Sequence, residues 1–278
     1  MTKKVEAKKE DAKEAKKEEH GNGGELKARS LPKGRVETGI HGLDEQIEGG
    51  FIPGSVNLVA GGCGSGKTLF SSQFLYHGAK LGEPGVLLSL EQRPSEIRLD
   101  MKDVGLDPTK YEKDGKLEIV YTNPTRFVDK SQVVEDSVES ILEEHVKKLG
   151  AKRVVLDSLC SFELYLTKPH EVRQKIYQIT EILKDLGVTA IMTSEIPERS
   201  NWFSRFGVEE FVADSVIVLN YMEFQGGNFR SCLIRKMRRT HQTDDILPFT
   251  VERGKGIVIK PAEERFHKYV LAKSRGKV

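Results

Sequence analysis

Lys67 and Thr68 close the run Gly61-Gly62-Cys63-Gly64-Ser65-Gly66-Lys67-Thr68, which fits the spacing G-x-x-x-x-G-K-[ST]. Such a run holds a polyphosphate. Its glycines tolerate positive φ, so successive backbone N–H groups can turn inward around an anion. The lysine sets a cation against the β- and γ-phosphates, and the threonine hydroxyl is an oxygen ligand suited to Mg²⁺. The candidate nucleotide-binding segment is therefore Gly61, Gly62, Cys63, Gly64, Ser65, Gly66, Lys67, Thr68 and Leu69. Cys63 reads as a small filler residue whose oxidation would crowd the phosphates.

Phosphoryl chemistry also needs an anchor for the metal and a group that orients the attacking water. In open α/β sheets ligands sit beyond the carboxyl ends of the strands, so the residues ending each apolar run matter most. Asp157 follows Val154-Val155-Leu156. It can hold Mg²⁺ through water, or cap a helix together with Ser158. Glu91 follows Val86-Leu87-Leu88-Ser89-Leu90 and can take a proton from the water. Its alternative role is a surface residue capping the segment from Ser95. Gln92 beside it is no base. Thr193, Ser194 and Glu195 end another apolar run, where they could sense the γ-phosphate. Lys236 and Arg238 share one face of a strand, with Met237 on the other. They form either a solvated basic edge or a pair aimed at an anion. No acidic residue lies within two positions of either, so the pair gains little from its sequence neighbours.

These residues meet only if the elements between them alternate. Residues 55–60 read as a buried strand entering the loop, and 68–75 as a helix leaving it. The helix N-terminus then adds partial positive charge to the anion site. Residues 86–90, 117–121, 153–158 and 188–193 read as further strands, and 95–103 as helical. Val133, Val134, Val138, Ile141, Leu142, Val146 and Leu149 share one helical face; Val172, Ile176, Ile179, Leu183 and Leu186 share another. A short helix is expected over residues 43–47, with His41 as a turn residue. Strands alternating with helices imply right-handed crossovers and a mostly parallel sheet. From Ser215 the pattern changes: residues 215–221, 231–237, 247–252 and 256–260 predict an antiparallel extension.

Composition narrows the rest. The 278 residues suffice for one large domain or two small ones, and 37% hydrophobic content supports a real core. No run of about 18 apolar residues suggests a membrane span, and the charged N-terminus does not read as a secretory signal. Cys63, Cys160 and Cys232 are scattered and form no C-x-x-C pair, which argues against a disulfide framework or zinc site and for a reducing cytoplasm. A net charge of +2 gives no overall case for nucleic acid, though it leaves room for a local patch. Residues 1–29, rich in Lys, Glu and Ala, read as a charged disordered tail; residues 30–262 as the folded domain; and residues 263–278 as a basic tail.

In combination, Thr38-Gly39-Ile40-x-Gly42-Leu43-Asp44, the phosphate loop, Glu91 at a strand end and Leu156-Asp157-Ser158 resemble the KaiC-like branch of the RecA superfamily. So do Gly207-Val208-Glu209-Glu210-Phe211-Val212-Ala213-Asp214 and Lys236-Met237-Arg238. The resemblance runs in order over residues 31–260. It implies an α/β fold: a RecA-like P-loop NTPase core with a mostly parallel central sheet flanked by helices and a C-terminal antiparallel extension. It also implies an ATPase that uses ATP and Mg²⁺, with ATP bound between neighbouring subunits of a homo-oligomer, usually a hexameric ring. In that family Glu91 matches the general base, while Lys236 and Arg238 match cations that reach the neighbour's phosphates. Clock-type members carry two such domains, and this chain has length for one. Their phosphorylated Ser-Thr pair falls near Glu210-Phe211, which cannot carry phosphate, so autokinase activity is not expected; Ser200 and Ser204 lie nearby but do not match that position. The expected role is signalling or regulation with a protein partner. The alternative is a repair-type DNA-binding ATPase using Arg199, Arg205, Arg230, Arg235, Arg238 and Arg239, although the helix-hairpin-helix or zinc segment of such proteins is lacking. A third reading is a nucleotide-gated scaffold that does not hydrolyse ATP.

Overall fold

The phosphate loop lies where a strand buried along its whole length gives way to a helix. The computed structural model describes residues 34–124, 137–166, 168–197, 202–224 and 227–261. A 3₁₀ turn at Asp44–Ile47 precedes β1 (Val56–Gly61), which enters the loop, and α1 (Lys67–Leu81) leaves it. There follow β2 (Gly85–Ser89), α2 (Pro94–Asp103), α3 (Thr109–Lys113), β3 (Leu117–Tyr121), α4 (Val138–Leu149) and β4 (Arg153–Asp157). A 3₁₀ helix at Leu159–Leu164 leads to α5 (Pro169–Asp185), β5 (Thr189–Glu195) and α6 (Glu209–Val212). The chain then forms β6 (Ser215–Phe224), β7 (Gly227–Met237), β8 (Leu247–Glu252) and β9 (Gly256–Ile259).

The strands make one sheet in the order β3-β2-β4-β5-β1-β6-β7-β8-β9. Neighbours from β3 to β6 run parallel, and β6 to β9 run antiparallel. The parallel part and its antiparallel extension are those expected of a RecA-type core. Side chains alternate across the strands with period two. Thus Val59, Leu87, Val155 and Ile191 pack with Phe70, Phe74, Ile97 and Met101 of α1 and α2 on one face. Leu58, Leu88, Leu156 and Met192 pack with Leu142, Val146, Ile176 and Ile179 of α4 and α5 on the other. Each such fully buried side chain contributes about 1.5–3 kcal/mol relative to exposure.

Local chemistry fixes the helix ends. Pro94 occupies the first turn of α2, where its missing N–H costs nothing, and the Arg93 N–H donates to Glu96 at 3.0 Å. Helix α4 opens on Ser137, whose hydroxyl accepts from the Ser140 N–H at 3.1 Å. Val133 and Val134, placed by periodicity on this helix, lie outside the described residues, as do both tails. The expected strand at 188–193 runs on to Glu195, and the segment expected helical from Leu43 is a 3₁₀ turn.

Two buried polar side chains bind distant segments to α1. Arg153, 1% exposed, pairs with Glu83 at 2.6 Å and donates to the carbonyls of Glu37 at 2.7 Å and Phe74 at 3.0 Å. Gln73 donates to the carbonyls of Gly39 at 2.7 Å and Lys255 at 2.9 Å, and its carbonyl accepts the Ile257 N–H at 2.7 Å. The first and last parts of the described chain are thereby tied to the helix that follows the phosphate loop.

Candidate active site

Parallel register brings the site together. Gly61 pairs with Glu195 on one side and Leu219 on the other, while Ser89 pairs with Asp157. The carboxyl ends of β1, β2, β4 and β5 therefore open on one edge. Gly61 cannot carry a side chain, because a Cβ would sit 2.4 Å from the Leu219 carbonyl and 2.5 Å from Ser65 Oγ. Gly66 has φ 102° and begins α1, so the loop turns directly into a helix N-terminus whose first amides lack intrahelical partners. Ser65 is fully buried, and its hydroxyl has no partner among the described residues. This cradle, with its unspent donors, fits a polyphosphate.

Lys67 stands at the mouth of the loop, its ammonium donating to the carbonyls of Gly61 and Gly62 at 3.0 Å each, with Glu195 at 4.0 Å. Thr68 Oγ1 donates to Asp157 Oδ2 at 2.7 Å, and the buried Thr193 hydroxyl donates to Asp157 Oδ1. Two hard oxygen ligands thus lie side by side, as Mg²⁺ prefers. Asp157 faces the loop, and Ser158 alone takes the capping role, accepting the Cys160 N–H at 3.3 Å. A groove of ≈ 250 Å³ opens beside Thr68 and Leu69, between α1 and α2, with Ser72, Asp100 and Met101 in its walls.

Glu91 lies just past the end of β2. Its Oε1 accepts from Ser158 Oγ and, at 3.3 Å, from Ser161 Oγ. Crowding by protein raises its pKa; the Ser158 hydrogen bond opposes this, the charges of Asp157 and Glu195 add to it, and the Ser161 hydrogen bond opposes it. Gln92 turns away, its amide 3.4 Å from Asp100. The helix α2 cap is made by Glu96, so Glu91 is not a cap. Sequence reading named Ser158 only beside Asp157 and missed Ser161 and the contact of both with Glu91, since a hydroxyl after a strand carries no spacing signal. It also missed Tyr221, whose ring would lie 3.9 Å from a Gly64 Cβ and carries the Arg230 guanidinium at 4.5 Å. Cys63 is exposed, and Cys160 accepts the Glu195 N–H at 3.0 Å.

Lys236 and Arg238 do not join this cluster within the subunit. A bulge opposite Val216 and Ile217 makes Arg235 the extra residue and resets the alternation, leaving Met237 buried between the two cations. Both have partners that sequence proximity did not disclose. Arg238 pairs with Asp214 Oδ1 at 3.0 Å, while Lys236 donates to the carbonyls of Ala213 at 2.7 Å and Glu210 at 3.0 Å. The sequence neighbours of the pair supply no anion, as expected; Asp214, distant in sequence, supplies one. Burial and the nearby Arg238 lower the Lys236 pKa, against Asp214 and Glu210.

A family model described as "ATPase: KaiC" matches residues 36–264. The chain belongs to the KaiC family of ATPases. This KaiC-type chain is 37% identical over 238 residues to a UPF0273 protein of Thermotoga maritima, covering 82% of this chain and 97% of that protein. It is also 37% identical over 230 residues to the circadian clock protein KaiC3 of a Synechocystis species, where the match spans 46% of the longer relative. Among solved structures, the KaiC-like protein PH0186 of Pyrococcus horikoshii superposes with a TM-score of 0.72 at 42% identity, over 82% of this chain and 99% of that one. These matches and the sheet order establish a single KaiC-like domain on a RecA fold.

Proposed function

We propose that this chain binds Mg²⁺–ATP and hydrolyses it at the interfaces of a homo-oligomeric, hexameric ring, using its nucleotide state for signalling or regulation in the cytoplasm. One observation carries the reading: Lys67, the Thr68–Asp157 pair and Glu91 converge at the carboxyl edge of the parallel sheet. Lys67 and the loop amides hold the phosphates, and the nucleoside lies in the groove beside Leu69. Thr68, and Asp157 through water, would hold Mg²⁺, which supplies neutralising charge on the β- and γ-phosphates. Glu91 accepts the proton of the attacking water. Lys236 and Arg238 of one subunit reach the phosphates bound by the next. A regulatory protein partner reads the resulting shape.

Lys67→Ala and Glu91→Gln test the reading together. The first is expected to lose ATP affinity, and the second to keep affinity and lose turnover, by nucleotide titration and phosphate release. Near-normal affinity in the first, or turnover within a few-fold in the second, sinks the corresponding assignment. Of the arginines named for the DNA-binding alternative, Arg199 lies outside the described residues, Arg205 pairs with Glu163 at 2.5 Å, Arg230 and Arg235 stack on Tyr221 and Phe203, Arg238 pairs with Asp214, and Arg239 is exposed. Among the described residues, no helix is long and apolar enough to cross a membrane.

A further inference from the structure

Glu91 must do more than be present. A carboxylate at a strand end can rotate about its terminal bonds, and misplacement by about 1 Å can cost 10²-fold in rate. The chain around it limits that freedom from two sides. On the backbone side, the N–H groups of Glu91 and Gln92 both donate to the buried Ser89 hydroxyl, at 3.4 and 3.0 Å, and the Leu90 N–H donates to the Asp157 carbonyl at 2.7 Å. On the side-chain side stand Ser158 and Ser161, which are 1% and 5% exposed and belong to the turn that follows Asp157. Ser158 Oγ already accepts the Cys160 N–H, so its own proton is directed outward, onto Glu91. Ser161 Oγ lies 3.3 Å from the same Glu91 oxygen and 3.5 Å from the Leu90 carbonyl. Both hydroxyls take Oε1. Among the described residues Oε2 has no hydrogen-bond partner and stays available as the proton acceptor.

We propose that Ser158 and Ser161 are positioning residues for hydrolysis, clamping one carboxylate oxygen of Glu91 so that the other faces the attacking water. The proposal rests on Glu91 being the general base. The arrangement also explains why one turn carries both functions. Asp157 faces the metal ligand Thr68, and the next residues in the chain hold the base, so metal anchor and base keep a fixed separation. A hydrogen bond to either oxygen lowers the basicity of the whole carboxylate, and placing both donors on Oε1 leaves Oε2 unobstructed to receive the proton.

The test uses the full chain with Ser158→Ala, Ser161→Ala and the double variant, each also made in a Glu91→Gln background. Ser161→Ala leaves the Ser158 cap untouched, so it reports even where Ser158→Ala lowers stability. Expected are ATP affinity and KM within about 3-fold of wild type, kcat lower by about 10-fold for each single change, and a loss approaching 10²-fold for the double. With Gln at position 91, measured in single-turnover hydrolysis, the serine changes should add less than about 2-fold, because residues acting through one group are not additive. Equal losses in both backgrounds, or wild-type kcat in the serine variants while Glu91→Gln is inactive, overturn the clamp alone. Full activity of Glu91→Gln overturns the base assignment and the clamp with it.

Discussion

Arg238→Ala separates two roles for a residue that is paired inside its own subunit. There, Arg238 meets Asp214 at 3.0 Å, with its side chain 50% exposed. An ion pair that open to solvent is worth about 0–1 kcal/mol, so the substitution should change folding stability by less than about 1 kcal/mol in urea titration. The proposed role at the neighbour's γ-phosphate is far larger: fingers supplied in trans are worth about 10³–10⁵ in rate, or roughly 4–7 kcal/mol of barrier. The second number exceeds the cost of leaving Asp214, so the arginine can afford to move. Arg238→Ala is thus expected to fold normally, bind ATP with unchanged affinity, and lose at least about 10³-fold in turnover. Specific activity of wild-type protein should rise with concentration as rings assemble. Mixing Arg238→Ala with Glu91→Gln subunits should restore part of the activity, because some interfaces then join an intact Glu91 to an intact Arg238. Full specific activity in dilute monomer, together with no recovery in exchanging mixtures, would refute the trans assignment.

Three further outcomes follow from the geometry. Because crowding raises the Glu91 pKa and only the carboxylate can accept a proton, turnover should fall on acidification at a pH above the ordinary glutamate value of about 4.3; a kcat profile flat down to that value contradicts it. Thiol labelling followed by mass spectrometry should modify exposed Cys63 first, with ATP protecting it, and Cys232 last, since burial pushes that thiol up to about 12; fast labelling of Cys232 would mean that the core opens. Arg153→Met strands the carbonyl of Glu37 and removes the partner of Glu83, and should cost roughly 3 kcal/mol in urea unfolding; a loss below about 1 kcal/mol would show those contacts to be dispensable.

Much of the fold was legible because its signals are local. The apolar runs of β1, β2, β4 and β5 are long enough to read as covered on both faces, and the stripes of α4 and α5 repeat at helical spacing. Lys67 and Thr68 were legible from the glycine spacing of the phosphate loop, and Asp157 and Glu91 because each ends an apolar run. The remainder is tertiary. Asp214 lies far from Arg238 in sequence and meets it only through the pairing of β6 with β7. The bulge at Arg235 leaves no composition mark, and α3 has no buried residue to set a period. Ser158 and Ser161 become partners of Glu91 only because β2 and β4 are neighbours.

β9 is one of the two edge strands of the sheet, a place where chains ordinarily tolerate trimming. Here the margin is structural to the centre. Ile257 Cδ1 lies 3.7 Å from where a Gly66 side chain would begin, so this strand forms the rear wall of the phosphate loop. Its backbone also fills both ends of the Gln73 amide, which sits inside the protein at 2% exposure. A chain cut after β7 would keep Lys67, Thr68, Glu91 and Asp157, yet leave the loop unsupported and a buried amide with three of its four backbone partners gone. A piece expected to hold ATP therefore reaches through Ile259, and changes at the rim of the sheet are expected to alter nucleotide affinity without changing a single residue of the phosphate loop.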